Sequence, residues 1–441
     1  MGVDVNLKIG NLSLWYWKSY FDRSTLGFFF TDDDLKITEN VKYDESDMEE
    51  SPHTQYRYST TIRNAVQRLD SIGYTLKSVQ SDFERYKYNC LDYQSILRDL
   101  KIDHDRYDEI KEQRINKYVT YKKWKNAVLK YAKHNATHGS IPSFAAYTLF
   151  PQIKPKTECE RIIYNSLTDY NSQSFYGCLY QEFDPLNTIR IILEGFNADE
   201  MLYVDITEMV GWTYESINDM RIGEPTEKTI VLVEGTSDKS ILEFALRHIY
   251  PHLYNLYYFM DFEYAKGKNR PGGVDAISNN MKAFISSRLK SKFIAIFDND
   301  TVGRQAQERL CYEIGVLPDN CRILTYPDIK LAKRYPTIGA NGKTVLDNIN
   351  GRACSIELYL PDDLIKSSND EYLPIEWGNR VQCNIGHEKL IAYQGVISDK
   401  DSIKEKCFKL MNEIDSSKVQ FSSNEWDKMK ELIDTILNAF N

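Results

Sequence analysis

The sequence predicts two architectures in one chain: an α+β, helix-rich N-terminal half, then an α/β domain with a central parallel sheet, closed by C-terminal helices. Three observations carry this reading. The 441 residues are enough for two or three domains. The segment Arg221-Ile-Gly-Glu-Pro225 reads as a linker where the grammar changes. Beyond it, short continuous apolar runs alternate with helical stretches, the β-α-β-α order of a parallel sheet. The expected domains are residues 1–225, 226–365, and a helical extension over 366–441.

In the first half, Val3, Val5, Leu7 and Ile9 alternate, as do Leu12, Leu14 and Tyr16, with Gly10-Asn11 between them. That is a β-hairpin pattern. Residues 31–51 carry Asp32, Asp33, Asp34, Glu39, Asp44, Glu45, Asp47, Glu49 and Glu50 and read as a solvated loop. From about 55 to 135 the pattern is helical, with Ile62, Val66, Leu69 and Ile72 on one face. Gly139, Pro142, Pro151 and Pro155 interrupt it, and Thr188–Leu193 reads as a buried strand. After the linker come strands at Thr229–Val233, Leu256–Met260, Phe293–Phe297 and Arg322–Thr325. Helices are expected between them at Ser237–Ile249 (capped by Ser237), Gly273–Leu289 and Thr301–Cys311. Residues 400–440 hold two more helical stretches.

Composition narrows the function. Hydrophobic residues at 42% and charged residues at 27% fit a soluble globular protein. A net charge of −9 excludes a chain that coats nucleic acid with its whole surface; contact must use a local patch, a metal or a partner. The 8 cysteines contain no C-x-x-C pair, so reduced thiols in a cytoplasm are expected rather than disulfides or a zinc site. No apolar h-region follows Met1, and no run of about 18 apolar residues occurs, so neither a signal peptide nor a membrane association is expected.

Two acidic clusters stand at the ends of apolar strands: Val231-Leu232-Val233-Glu234-Gly235 followed by Asp238, and Ile294-Ala295-Ile296-Phe297-Asp298-Asn299-Asp300. Sites in open α/β sheets form beyond the carboxyl ends of strands, so these acids converge if their strands are neighbours. Gathered anions raise one another's pKa unless a cation lies between them. Mg²⁺ (or Mn²⁺) is the expected cation, because it takes hard oxygen ligands and neutralises phosphate charge. Gly235 is expected to let the backbone turn closely beneath it. A further acid, Glu357, lies inside the apolar segment Ser355–Leu360. The loop Lys266-Gly-Lys-Asn-Arg-Pro-Gly-Gly273 leads into a helix, so Lys266, Lys268 and Arg270 are candidate phosphate contacts. The bland alternative is a flavodoxin-like sheet whose acids only cap helices.

Val-Glu-Gly-x-x-Asp, followed about sixty residues later by Asp-Asn-Asp, resembles the Toprim domain of topoisomerases, bacterial primases, OLD-family nucleases and defence nucleases. The Ile-Glu-x-Tyr-Leu segment resembles one in the nuclease-like branches. The resemblance implies that Glu234 is an acid/base and metal ligand, that Asp298 and Asp300 are metal ligands, and that Asp238 and Glu357 serve a second metal. Primase-type zinc cysteines are missing from the sequence, and no coherent topoisomerase body is evident, which leaves hydrolysis as the implied chemistry.

The start, Met1-Gly-Val-Asp-Val-Asn-Leu-Lys-Ile-Gly10, with Trp17-Lys-Ser-Tyr20 and Arg68-Leu-Asp-Ser-Ile-Gly-Tyr-Thr75, resembles the N-terminal region of bacterial HEPN/Toprim proteins. Many HEPN domains are metal-independent ribonucleases with an Arg and a nearby His. Arg98 and His104 fit that spacing, with His as acid or base and Arg on the phosphate; the favoured alternative is an exposed helix face and its end. The stretch 114–134 holds seven Lys or Arg and no acid, interleaved with Tyr118, Tyr121, Trp124 and Tyr131. Lys122, Lys123, Trp124 and Lys125 are therefore candidate nucleic-acid contacts, the alternative being an amphipathic helix with aromatics inward.

These readings converge on a cytoplasmic, Mg²⁺-dependent endonuclease acting on RNA such as tRNA, or on DNA, as an antiphage defence or toxin-like effector. A regulatory partner or self-association stays open. So do two rivals: a metal-independent HEPN ribonuclease with a regulatory Toprim domain, and a non-catalytic module sensing a phosphate ligand.

Overall fold

The computed structural model describes residues 3–20, 22–41, 53–90, 107–138, 154–167, 183–213, 216–225, 227–260, 263–265, 268–269, 273–339, 342–385 and 388–441. The chain forms two compact units, Met1–Thr226 with Asn441, and Glu227–Phe440.

The first unit opens with the expected hairpin. Strands β1 (Asp4–Ile9) and β2 (Leu12–Lys18) pair antiparallel. Gly10 turns the chain between them at φ +54°, a conformation that costs glycine nothing. The acidic segment is not a loop throughout. Asp32–Asp34 form a 3₁₀ turn, and Leu35–Val41 is strand β3, paired with β4 (His53–Thr61). The charges misled because β3 is an edge strand, where polar side chains face water. The acids beyond it, at 44–50, lie outside the described residues. With β5 (Met201–Asp205) the sheet runs β2-β1-β5-β4-β3. Within the stretch expected to be helical from about 55, the helix begins only at Ile62, where Thr61 caps Ile62–Ile72, and Gly73 ends that helix at φ +103°.

Thr188–Leu193 is helix rather than strand. Pro185–Leu193 is helical, capped by the Asp184 carboxylate, which accepts from Leu186 N at 2.9 Å. All of Leu186–Leu193 is buried, so no amphipathic period exists to distinguish helix from strand. The Asp-Pro start was the usable signal. Arg190 in this buried helix spans Asp70 (Nε–Oδ1 2.7 Å, Nη2–Oδ2 3.2 Å) and Glu194 (Nη1–Oε1 2.6 Å). Arg68, fully buried two residues before Asp70, donates to the Gly27 carbonyl. The Arg68–Thr75 motif thus supplies a buried cation to the Gly27 carbonyl and an anion that ties its helix to the helix Pro185–Leu193.

In the second unit, strands β6 (Thr229–Leu232) and β7 (Tyr257–Met260) precede a small hairpin, β8 (Glu263–Ala265) and β9 (Lys268–Asn269). Then come β10 (Phe293–Phe297), β11 (Asn299–Asp300) and β12 (Cys321–Thr325). β12-β10-β6-β7 form an all-parallel sheet. Every residue of β10 is buried, as expected for a strand covered on both faces. The crossover helices are Thr236–Ile249, Val274–Ser286 and Thr301–Ile314. The first starts from Gly235 without a side-chain cap, so Ser237 does not cap it.

β13 (Tyr335–Ile338), β14 (Thr344–Asp347), β15 (Ala353–Cys354), β16 (Ile375–Ile385) and β17 (Glu388–Ile397) follow. A second sheet runs β14-β13-β16-β17. Residues 366–441 are therefore not purely helical. The long hairpin β16–β17 comes before the two expected helices, Lys400–Asp415 and Asp427–Leu437. Its alternation of Ile375, Trp377, Val381, Cys383 and Ile385 slips at a bulge between Trp377 and Arg380, which breaks the simple period.

Asp70→Ala removes the two-point partner of an Arg190 side chain that is only 5% exposed. The expected cost is about 2–4 kcal/mol, read as a lower urea midpoint at unchanged slope.

Candidate active site

The parallel sheet places β6 beside β10 in register, Ile230 opposite Phe293 and Leu232 opposite Ala295. Their continuations therefore bring Glu234 and Asp298 together. The Asp298 backbone N–H donates to Glu234 Oε1 at 3.2 Å. Asp298 and Asp300, two apart on an extended backbone, share one side, and Asn299 points the other way. Asn299 is locked there: its Nδ2 donates to Asp328 at 2.8 Å, and its Oδ1 accepts from Arg304 Nε at 2.8 Å. Asp300 both joins the acids and caps the helix Thr301–Ile314, its Oδ1 accepting from Gly303 N at 2.7 Å. The helix-capping alternative is thus true of Asp300 without removing it from the cluster.

Asp238 comes from the first turn of the helix after β6, and Glu357 from a 3₁₀ turn at Ile356–Tyr359. Asp238, Asp298 and Asp300 are at most 9% exposed, and Glu357 is fully buried. Burial, opposed by the Asp298 N–H and reinforced by Asp300 and Asp238, pushes the Glu234 carboxyl up to about 7. Burial and then Glu357 push Asp238 up to about 6. Asp298 is raised well above the ordinary carboxylate value, by burial first and then by Glu234, Asp238, Asp300 and Glu357. Burial raises Asp300 as well, held back by the Gly303 N–H and Gln394.

Four residues that the sequence reading did not single out complete the arrangement. Lys400 and Lys404, on the helix Lys400–Asp415, reach Glu357 at 3.2 and 3.5 Å. Burial alone would lower Lys400, but Glu357, Asp298 and Asp238 outweigh it and raise it. Gln394 Nε2 donates to Asp300 Oδ2 at 2.5 Å. Gly303 lies so close to the end of β10 that a Cβ there would overlap the Asp298 carbonyl oxygen. An Asp-Asn-Asp-x-x-Gly spacing was the one cue available for it. The lysines lie a hundred residues from the strand-end motif in a helix that reads as ordinary amphipathic sequence.

The donor set suits a hard divalent cation: carboxylates only, mutually repelling, with Asp298 Oδ1 and Glu357 Oε1 buried and lacking a hydrogen-bond donor. Among the described residues no three His, Cys, Asp or Glu side chains already converge in metal-holding geometry, so side-chain rotation would have to complete a site.

Other expected contacts fare differently. Trp124 is 2% exposed and packs on Phe83 and Phe183, at ring separations of 5.0 and 5.6 Å, so it is a core residue and not a base-stacking one. Tyr131 is buried too, and the inward-facing amphipathic alternative holds for these rings. Lys122 and Lys123 are exposed, while Lys125 lies 3.8 Å from Glu194. Gly235 has φ −145° and room for a Cβ, so the turn there does not demand glycine. Lys268 lies in β9; Lys266, Arg270, Arg98 and His104 lie outside the described residues.

Residues 1–228 match the family described as HEPN/Toprim N-terminal domain 1. The chain belongs to this family. Membership ties it, at a coarse level, to nuclease-like and defence-related proteins. The family match ends where the second unit begins, so the acids lie beyond it. No curated protein and no solved structure matches the chain. Among the described residues no helix is long and apolar enough to cross a membrane.

Two outcomes follow from the geometry. Gly303→Ala must part the helix from the strand end; we expect a loss of roughly 2 kcal/mol or more in chemical denaturation. Because the folded-state value of Glu234, about 7, lies above the ordinary 4.5, the metal-free folded chain holds a proton that the unfolded chain has released. That advantage is complete below the ordinary value and is lost as pH rises through about 7. Glu234→Gln should therefore stabilise the metal-free protein by on the order of 1–3 kcal/mol at about pH 8 and hardly at all at about pH 4, measured by thermal unfolding in EDTA.

Proposed function

We propose that the protein is a Mg²⁺-dependent endonuclease with a Toprim-type centre at Glu234, Asp298 and Asp300, acting in defence on RNA such as tRNA, or on DNA. The observation that carries this reading is that Glu234, Asp298 and Asp300 gather beyond the carboxyl ends of the adjacent parallel strands β6 and β10, with Asp238 and Glu357 near enough to act on them electrostatically. Nothing in folding requires such a cluster, and its repulsion costs stability. Glu234, Asp298 and Asp300 would hold one Mg²⁺ or Mn²⁺, and Asp238 and Glu357 would help with a second. When bound, the cations supply charge neutralisation at the phosphate and lower the pKa of water.

The chain's own residues would do the rest. Glu234, poised near neutrality, suits proton transfer to or from the attacking or leaving oxygen. Asn299, clamped by Arg304 and Asp328, fixes the backbone so that Asp298 and Asp300 face the same side. Lys400 and Lys404 balance the acids from the opposite element and leave a positive group beside the phosphate position.

The test is cleavage of labelled plasmid, single-stranded DNA and total tRNA with Mg²⁺ or Mn²⁺. We expect cutting by the wild type, abolition by EDTA, and a loss of at least about a thousandfold in Glu234→Ala, with His104→Ala unaffected. Cutting that survives EDTA and Glu234→Ala but fails in His104→Ala would replace this reading with a metal-independent HEPN ribonuclease.

A further inference from the structure

Beside the acids, the sheet β14-β13-β16-β17 forms an open groove of about 610 Å³ lined by Ile338, Arg352, Glu376, Trp377 and Tyr393. One guanidinium–aromatic pair lines it, and a second stands at its Tyr393 edge. The Arg352 guanidinium lies 4.3 Å from the Trp377 ring centroid and is held by Asp347 at 3.0 Å. Arg380 donates to the Tyr393 hydroxyl at 3.0 Å, its guanidinium 5.2 Å from that ring's centroid. Tyr393 is 46% exposed, too open for a core aromatic. Gly395 lets Trp377 settle on the β17 backbone: a Cβ there would stand 2.6 Å from Ile375, 2.7 Å from Ala353 and 3.0 Å from the indole.

The groove is coupled to the acids through adjacent residues. The Tyr393 carbonyl accepts from Thr301 Oγ1 at 2.7 Å, and its neighbour Gln394 donates to Asp300. The Arg352 carbonyl accepts from Gly395 N at 3.1 Å, and Arg352 bridges the Asp300 backbone. A planar ring beside a planar cation suits one class of ligand: a π-faced base on a phosphodiester chain. In a duplex those faces are already covered. A polyanion approaching five carboxylates also needs local positive charge; Arg380 and Arg352 are the cations on this side, Arg352 sharing its charge with Asp347 at 3.0 Å, and Glu376 accepts from Ser398 Oγ at 2.8 Å.

We propose that this groove seats unpaired bases of a single-stranded nucleic acid whose backbone passes the Asp300 edge. The proposal rests on the nuclease reading of the acids and names the form of substrate that this centre receives. RNA and DNA share the recognised chemistry.

The test is fluorescence anisotropy in EDTA, where no cutting interferes, with short labelled oligouridylate, oligothymidylate and a duplex of equal length. We expect either or both single strands to bind more tightly than the duplex, and the stronger to identify the sugar. Trp377→Ala with Tyr393→Ala should weaken binding by at least about tenfold, while Trp377→Phe stays within about threefold of wild type. Arg352→Gln, which leaves both rings in place, should reduce the salt dependence of binding by about one phosphate contact and guards against a misfolded double variant. Single-strand binding that is absent, no tighter than duplex binding, or indifferent to all these substitutions overturns the groove. Metal-dependent cleavage alongside that result would leave the nuclease reading standing. The expected binding without cleavage in Mg²⁺ would overturn the nuclease reading instead.

Discussion

Like charges that cannot reach water govern the second unit. Glu234, Asp238, Asp298, Asp300 and Glu357 come from separate places in the sequence, and the parallel sheet leaves them no room to separate. Three of them are answered by something specific: Glu234 by the Asp298 N–H, Asp300 by the Gly303 N–H and the Gln394 amide, and Glu357 by the ammonium groups of Lys400 and Lys404, while Asp298 Oδ1 is left without a hydrogen-bond donor. The architecture around the sheet follows from supplying those answers. The helix Lys400–Asp415 brings two cations to Glu357, and the β16–β17 hairpin brings Gln394 to Asp300.

Much of this was legible because strand-end chemistry is local. Glu234 follows an apolar run, Asp298 follows another, and the β-α-β-α order alone makes their strands candidates for neighbours. What could not be read was long-range. Lys400 and Lys404 look like the solvent face of a helix until Glu357 is found opposite them. Gly303 matters only because the helix approaches the Asp298 carbonyl. Where the sequence misled, two physical effects competed. Pro185–Leu193 is buried all round and so lost its period, and the edge strand Leu35–Val41 carries charges like a loop. Trp124 shows that aromatic residues within a basic stretch are a weak cue, since the same spacing buries the ring and leaves the lysines in water.

The first unit stands on a different economy. Its sheet is antiparallel, and its charged motif is structural: Arg68 and Asp70 sit in the short run from Arg68 to Thr75 that resembles other proteins of the family, and both are used in packing, Asp70 against Arg190 and Arg68 against the Gly27 carbonyl. This motif packs one helix against another and against the turn at Gly27.

The order in which the chain is made gives the position of Lys400 and Lys404 a further meaning. A nascent polypeptide that has emerged as far as Ile365 already contains all five acids and neither lysine. Without the helix Lys400–Asp415 the cluster lacks the two ammonium groups that pair with Glu357. A message truncated before codon 400 encodes the acids without these two counter-charges.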